Sequence, residues 1–216
     1  MRTILKRLVW PVMAAPSVYL AIIWSRLPEK VAVHFDLQGN PDRYGSKNEL
    51  LVTVIVLTVI TMLAYLLLTN IYRIDPKKYA AGNKDRLQSI AFAVVLLLAV
   101  VLCLIIYSSS QGSIKLGIGF IFAAVGLMLA VVGNYLPNMK PNYFAGLRLP
   151  WTLENEDNWK KTHRLAGKMF FAGGLLLAVI CLFTSPLASI IIFFAGTLIM
   201  ILVPCVYSYR LYKRGN

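Results

Sequence analysis

The chain has 216 residues, of which 58% are hydrophobic and only 14% are charged, and its formal net charge is +13 at pH 7. A soluble domain of this length carries roughly 25% charged and 45–50% apolar residues, so the composition excludes an ordinary soluble domain. Apolar stretches of about 20 residues, the length that a bilayer-spanning helix requires, recur along the chain. The sequence therefore predicts an all-α integral membrane protein.

Six apolar stretches are long enough to cross a bilayer as helices. None has an Asp, Glu, Lys, Arg or His in its interior, and they cover residues 8–24, 50–72, 88–107, 117–136, 169–184 and 187–208. The first follows a basic start and contains the small residues Ala14 and Ala15, as a signal peptide does. We expect it to be retained as a membrane span, because Trp10 and Trp24 bracket it as interfacial anchors.

Basic residues are unevenly distributed between these spans. Of the 22 Lys and Arg residues, 17 lie in the N-terminus, residues 73–87, residues 137–168 and the C-terminus, whereas the others lie in residues 25–49 and at Lys115. Basic loops stay in the cytoplasm. We therefore predict that both termini are cytoplasmic, and that the basic surface faces anionic membrane lipids rather than nucleic acid.

The first two spans and the loop between them, residues 1–72, are predicted to form one unit. The loop, residues 25–49, faces outward in this topology, and the alternation of residues 31–36 predicts a short strand. Residues 38–42 read Gln-Gly-Asn-Pro-Asp, which is strong turn chemistry. We expect an ordered cap over the helix ends.

Three metal-ligand side chains form a cluster in the middle of this outward loop: His34, Asp36 and Asp42. A zinc site uses three or four protein ligands, so this set would at best form an open site. In the alternative, Asp42 bonds the backbone of the turn while His34 packs beside Tyr44. We favour the alternative and predict neither a metal nor another cofactor.

Residues 73–216 are predicted to form a second unit with four spans. The span 117–136 carries small residues at steps of four and three: Gly119, Ala123, Gly126, Ala130 and Gly133. In lipid, such a stripe lets another helix backbone approach closely, so we expect this helix to be the packing centre of the bundle. The order of spans and loops in the two halves is similar, with opposite sidedness, as in an inverted repeat.

The segment 138–168 is the long polar stretch of the second half. Asn155 is the predicted N-cap of a helix that places Trp159 and His163 on one face, opposite several Lys and Arg residues. This pattern predicts a cytoplasmic amphipathic helix lying in the headgroup region, where His163 is an anchor rather than a pH-sensitive element. We expect Arg148 to contact either a carboxylate such as Glu154 or a lipid phosphate.

The sequence offers no catalytic constellation. The two histidines, His34 and His163, lie on opposite sides of the membrane in this topology, so no Ser-His-Asp arrangement can form and we predict that the protein is not an enzyme. One alternative is a small transporter for a peptide or lipid-like solute, with Asn134 and several threonines lining its path. Another is a constitutive scaffold for lipid or a cytosolic partner.

Two motifs resemble a known family. The stretch LPEKVAVHFDLQGNPDRYGSK is similar to the first-loop signature of an uncharacterised domain of bacterial membrane proteins, and PNYFAGLRLPWTLENEDNWKKTHRLAGK resembles the hallmark of the SdpI/YfhL family. The resemblance implies a six-span immunity protein of the bacterial plasma membrane that shields its producer from a secreted hydrophobic toxin peptide. It also implies a small cytosolic repressor as a second partner.

The resemblance further implies two groups of binding residues. Together with the analysis of residues 25–49 above, it gives an outward group for binding the toxin: His34, Phe35, Asp36, Gly39, Asp42 and Lys47. The cytoplasmic group is Asn142, Tyr143, Gly146, Arg148, Trp151, Trp159 and His163.

Overall fold

The computed structural model describes residues 2–77, 80–112 and 117–215 of the chain. Its helices are α1 (Arg2–Ile23), α2 (Lys47–Asn70), α3 (Lys84–Gln111), α4 (Gly117–Tyr135), α5 (Pro150–Glu154), α6 (Glu156–Phe183) and α7 (Pro186–Gly215). The strands β1 (Lys30–Phe35) and β2 (Pro41–Ser46) lie between α1 and α2. Lys78 and Lys115, which were counted when the sidedness of the loops was predicted, lie outside the described residues.

Six helices in the described part of the chain are long and apolar enough to cross a membrane, and they coincide with the six predicted spans. The predicted all-α membrane class is confirmed, while the sidedness of the termini stays a prediction. Helix α6 begins at the predicted N-cap, because the Asn155 side chain accepts hydrogen bonds from the backbone N–H groups of Asp157 and Asn158, both at 2.9 Å.

The predicted amphipathic helix is the first part of α6 and continues into the span without a break. The prediction that its apolar face lies in the headgroup region is wrong, because Trp159, His163 and Ala166 are each 0% exposed. Segments before and after α4 fold over this face, so protein rather than lipid covers it. An amphipathic pattern looks the same in both situations.

The long helices pack in two groups. Helix α3 packs against α1 and α2, while α4, α6 and α7 form the second group, and α3 also contacts α4. The α4 stripe lies against α6 as expected: a Cβ at Gly126 would lie 2.8 Å from the carbonyl oxygen of Gly174, and one at Gly133 would lie 2.9 Å from that of Gly167. The small residues are required by this close backbone approach.

The strands β1 and β2 form an antiparallel hairpin, which we call the hairpin. Its register runs from Lys30 opposite Ser46 to Phe35 opposite Pro41, with an irregularity after Ala32. The predicted strand is thus confirmed, and β2 adds a partner that was not predicted.

Apolar side chains fix the hairpin to the ends of three helices. Val31 and Ala32 of β1 are each only 1% exposed. Val31 belongs to a core cluster that draws on α1, α2 and α3 and also contains Leu20, Leu27, Leu50, Val54, Leu102 and Ile106. The expected ordered cap is therefore a small sheet anchored by apolar burial.

Candidate functional site

Seven buried polar side chains lie at the end of the bundle opposite the hairpin, where α3 and α6 begin and α7 ends. They are at most 5% exposed and comprise Asn83, Asn142, Thr152, Asn158, Thr162, His163 and Ser208, which we call the buried polar cluster. Unpaired buried polar groups are costly, so the partners of these side chains determine how this end is held together.

His163 is held by one hydrogen bond at each ring nitrogen. Its Nδ1 lies 2.9 Å from the carbonyl oxygen of Trp159, which only accepts, and its Nε2 lies 3.0 Å from the backbone nitrogen of Leu147, which only donates. The ring is therefore neutral, with its proton on Nδ1. It stacks on the Trp159 indole at a centroid distance of 3.9 Å. His163 thus stabilises the protein interior and is not the predicted anchor at the headgroup boundary.

Two further residues of the predicted cytoplasmic group surround this ring. The Trp159 indole Nε1 donates to the carbonyl oxygen of Met139 at 2.8 Å. Gly146 has a φ of 101°, a conformation that favours glycine, and a Cβ at this position would collide with the His163 imidazole. Glycine is therefore required here both by the backbone and by the packing of the ring.

The Asn142 side chain organises the turn 140–145. Its amide nitrogen donates to the carbonyl oxygens of Lys140 and Ala145 at 2.9 and 3.1 Å. Its oxygen accepts from the backbone N–H groups of Phe144 and Ala145 at 3.0 and 2.6 Å. One buried amide therefore uses both its donor and its acceptor to hold the backbone of the segment in place.

A second part of the buried polar cluster joins α5, α6 and α7. The Asn158 side chain donates to the Ser208 carbonyl oxygen at 3.0 Å, and its Oδ1 accepts from the hydroxyls of Ser208 and Thr162 at 2.8 and 2.9 Å. The Trp151 indole donates to the Ser208 hydroxyl at 2.8 Å and stacks on Tyr212. Trp151 is thus a half-buried link between helices.

Polar contacts connect this end of the second helix group to the first. Asn83, which immediately precedes α3, exchanges two hydrogen bonds with the backbone of Lys140, at 3.0 and 2.8 Å. The Asp75 carboxylate, in the loop after α2, accepts from the Tyr143 backbone N–H at 2.9 Å. The segment 138–168 is therefore attached at the start of α3, the helix whose other end reaches the hairpin.

Tyr143 and Arg148 are, with Gly146, the exposed members of the predicted cytoplasmic group. The Arg148 guanidinium donates to the Tyr143 carbonyl oxygen at 2.8 Å, so it closes the segment on itself rather than pairing with Glu154. Contact with a lipid phosphate, the other possibility given for Arg148, stays a prediction. The Lys77 ammonium lies 5.3 Å from the centre of the Tyr143 ring. These side chains form an accessible surface above the buried polar cluster.

In the hairpin, ligand-type side chains pair with each other or with the turn. His34 Nδ1 and Asp42 Oδ1 are 2.6 Å apart, whereas Asp42 was predicted to bond the backbone. Asp36 has that role instead: its carboxylate accepts from the Asn40 backbone N–H at 2.8 Å, which lowers the pKa of Asp36 below its usual value. Gly39, with a φ of 85°, completes the turn.

Lys47, the first residue of α2, and Phe35 of the hairpin have supporting positions. The Lys47 ammonium lies 2.6 Å from a Glu29 carboxylate oxygen and 5.5 Å from the centre of the Trp24 ring. Phe35 is half-buried opposite Pro41 at the turn end of the sheet. Within residues 2–77, 80–112 and 117–215, no group of three or more His, Cys, Asp and Glu side chains is placed to hold a metal ion.

Most polar residues of the transport alternative bond to the backbone of their own helix or face outward. The hydroxyls of Thr61 and Thr69 donate to carbonyl oxygens of their own helix, both at 2.7 Å, and the Asn70 amide does the same at 2.8 Å. Asn134 is exposed on the outside of α4. Thr58 is the exception, because its buried hydroxyl has no hydrogen-bond partner.

Sequence reasoning missed several members of the buried polar cluster: Asn83, Thr152, Asn158, Thr162 and Ser208. The spacing of Asn158 and Thr162 places them one helical turn apart on α6, which is a detectable local signal. Asn83 and Ser208 are paired with residues 57 and 50 positions away, which no local pattern reveals.

Comparison with known proteins matches both motif regions. Residues 138–208 match the model of the SdpI/YfhL protein family, and residues 12–59 match a domain of unknown function, DUF1648. The chain is 29% identical over 198 residues to the protein named Immunity protein SdpI of Bacillus subtilis (strain 168), covering 90% of this chain and 89% of that protein. No solved structure matches the chain. The resemblance predicted from the two motifs is confirmed.

Proposed function

We propose, from the premise that this chain belongs to the SdpI/YfhL protein family, that it is an immunity protein protecting the producing bacterium against a secreted hydrophobic toxin peptide. The chain is a multi-pass protein of the plasma membrane, with six helices that can span it. The observation that carries the proposal is the similarity to a protein named for immunity over nearly the whole length of both chains.

The hairpin is the proposed contact surface for the toxin. Its side chains at His34, Asp42 and Tyr44 are exposed and lie on a backbone fixed by apolar burial, a combination that suits recognition. Leu37, in the turn, is a further exposed apolar residue, 51% accessible. Rigid polar and apolar groups presented together lower the ordering cost of binding a peptide.

An apolar groove beside the hairpin would receive the hydrophobic part of the toxin. It has a volume of about 330 Å³ and lies between α1 and α2, lined by Ser17, Leu20, Ala21, Trp24, Leu51, Val54 and Ile55. Leu20 and Val54 also belong to the core cluster that anchors Val31 of the hairpin. A peptide held in the groove could therefore reach the exposed hairpin residues.

A cytosolic repressor is the proposed second partner, at the opposite end of the bundle. A polar cavity of about 460 Å³ opens there, lined by Trp151, Glu154, Asn155, Asp157, Asn158, Lys161, Leu211, Tyr212 and Arg214. Helix α3 supports coupling of the two ends, since Ile106 packs near the hairpin and Asn83 bonds to the polar segment. Toxin would change repressor binding only if its affinity differed between two states of this bundle.

Expression in a toxin-sensitive strain tests the immunity function. Cells carrying the wild-type protein should survive the peptide secreted by the producing strain, and His34→Ala with Tyr44→Ala should reduce that survival at equal membrane abundance. Arg86→Ala is a matched control far from the hairpin. Killing that is unchanged by the wild-type protein would refute immunity against that peptide.

Photocrosslinking tests the second partner. A crosslinker placed at position 148 should capture a small DNA-binding protein in toxin-treated cells, and Asn83→Ala should reduce capture while survival is kept. Capture that is equal with and without toxin would contradict coupling. An absence of any such protein in both conditions would remove the repressor while leaving the immunity result intact.

A further inference from the structure

Trp24 and Leu51 line the groove between α1 and α2 at the end nearest the hairpin. Trp24 begins the short helical turn Trp24–Arg26 that follows α1, and Leu51 lies in the second turn of α2. Lys47, the first residue of α2, precedes Leu51 by one helical turn, so the two residues share a face of the helix. A cation therefore lies beside the opening of an apolar groove.

The Lys47 side chain is held against the Trp24 ring. It is only 23% exposed, and its ammonium lies 5.5 Å from the centre of the ring, within the distance of about 6 Å that defines a cation–π contact. The same ammonium lies 2.6 Å from a carboxylate oxygen of Glu29, and the Lys47 backbone N–H donates to the Glu29 carbonyl oxygen at 3.1 Å. Glu29 thus fixes both the main chain and the side chain of Lys47.

The backbone and the ring of Trp24 are held by different groups. Its carbonyl oxygen accepts from the backbone N–H of Leu27 at 3.3 Å, and Leu27 is buried in the core cluster below the hairpin. The half-buried Trp24 ring packs against the same cluster. A fixed backbone still leaves several rotamers open to a tryptophan side chain, so contacts with the ring determine which of them is populated.

We propose that Lys47 is a positioning residue, which holds the Trp24 indole as a wall of the groove, and that this wall selects the apolar side chains of the toxin that fit. The inference rests on the proposed immunity function and on the groove as the toxin site. Ligand pockets occupy about 300–1,000 Å³, so a groove of about 330 Å³ is small and sensitive to the position of one wall. Lys47, which was predicted to contact the toxin, then acts through Trp24 instead.

A double-mutant cycle in the toxin-sensitive strain tests this role at equal membrane abundance. The probe is culture supernatant of the producing strain, and the measured quantity is the supernatant concentration that kills half of the cells. Lys47→Met should lower this concentration about two- to fivefold, the factor equivalent to one cation–π contact, whereas Lys47→Arg should keep it. In a Trp24→Leu background, Lys47→Met should cause no further loss, because its effect passes through the indole.

The solvent exposure of the indole is the second measurement, and it needs no toxin. The purified full-length protein is labelled with nitrogen-15 tryptophan, and Trp24→Leu identifies the indole N–H signal of Trp24. A neutral gadolinium chelate in the water broadens the signals of exposed indoles. This broadening should increase for Trp24 in Lys47→Met and stay at the wild-type level in Lys47→Arg.

Arg26→Gln is the matched control, since it removes an exposed cation only two residues from Trp24 and should leave both protection and broadening unchanged. Circular dichroism and the elution volume establish that all variants are folded. A further loss in the double variant would overturn the proposal, as would unchanged broadening in Lys47→Met or equal losses in Arg26→Gln and Lys47→Met. If the wild-type protein gives no protection, the immunity function and the selection of toxin are both refuted, while the gadolinium measurement still decides whether Lys47 positions Trp24.

Discussion

The two ends of the molecule are built in opposite ways. At the hairpin, apolar burial holds the backbone, and polar side chains such as His34 and Asp42 are exposed and pair with each other. At the other end, polar side chains are themselves buried: Asn158 and His163 are at most 5% exposed and bond across several segments.

This contrast separates stability from recognition. Exposed ion pairs contribute little to folding, so the polar residues of the hairpin are free to be selected for a partner. A buried hydrogen-bonding group whose partner is removed carries its full desolvation cost. Several members of the predicted cytoplasmic group, including Asn142, Trp159 and His163, therefore support the fold, while Tyr143, Gly146 and Arg148 are exposed and Trp151 lines the cavity of the proposed second partner.

The largest expected effect is at Trp159. Trp159→Ala removes a fully buried indole, its hydrogen bond to Met139 and the stacking surface of His163. We expect a loss of about 3–5 kcal/mol in the free energy of unfolding, measured by thermal unfolding in detergent. Trp10→Ala is the control, because Trp10 is 51% exposed on α1. Equal losses in both variants would contradict the contrast between buried and exposed positions.

Asn158→Ala should have the next largest effect. The hydroxyls of Thr162 and Ser208 lose their shared acceptor in the protein interior, which we expect to cost about 2–3 kcal/mol. Thermal unfolding of Asn134→Ala, an exposed asparagine in α4, provides the comparison and should match the wild type. A wild-type midpoint for Asn158→Ala would show that water replaces the lost bonds.

His34→Ala should affect toxin recognition without affecting stability. The free energy of unfolding should change by less than about 1 kcal/mol, because the pair with Asp42 is exposed. Toxin survival at equal protein abundance should nevertheless fall. If unfolding and survival changed together, the hairpin would have to be regarded as part of the folding core.

The smallest effect concerns pH at the turn of the hairpin. The pKa of Asp36 is lowered by the bond from the Asn40 backbone N–H, so its carboxylate stabilises the turn above its unfolded pKa of about 3.9. This contribution is lost as the pH falls through the folded pKa. The carboxyl chemical shift of labelled Asp36 should titrate below about 3.9, and a midpoint at or above that value would contradict the bond.

Features set by local chemistry were predictable from the sequence. Membrane spans follow from apolar length, since backbone groups in lipid are satisfied within a helix. Asn155 was predicted as an N-cap because its bonds reach only two and three residues ahead. The small residues of α4 likewise predicted a close helix contact, although not that α6 would provide it.

Features set by distant contacts were not predictable. Lys140 and Asn83 are far apart in sequence, and nothing near either residue indicates the other. The face carrying Trp159 and His163 has the same amphipathic pattern whether lipid headgroups or a folded segment cover it. Helical periodicity indicates that a face is apolar, but it does not identify what covers that face.

The reciprocal bonds between Asn83 and Lys140 constrain how the chain is assembled during translation. Asn83 leaves the ribosome well before Lys140, so its amide must remain hydrated until α4 has been inserted and the following segment has emerged. A chain that ends within α4 lacks residue 140, so Asn83 would have neither of these bonds. The polar link between the first helix group and the segment after α4 can therefore form only once residue 140 has been synthesised.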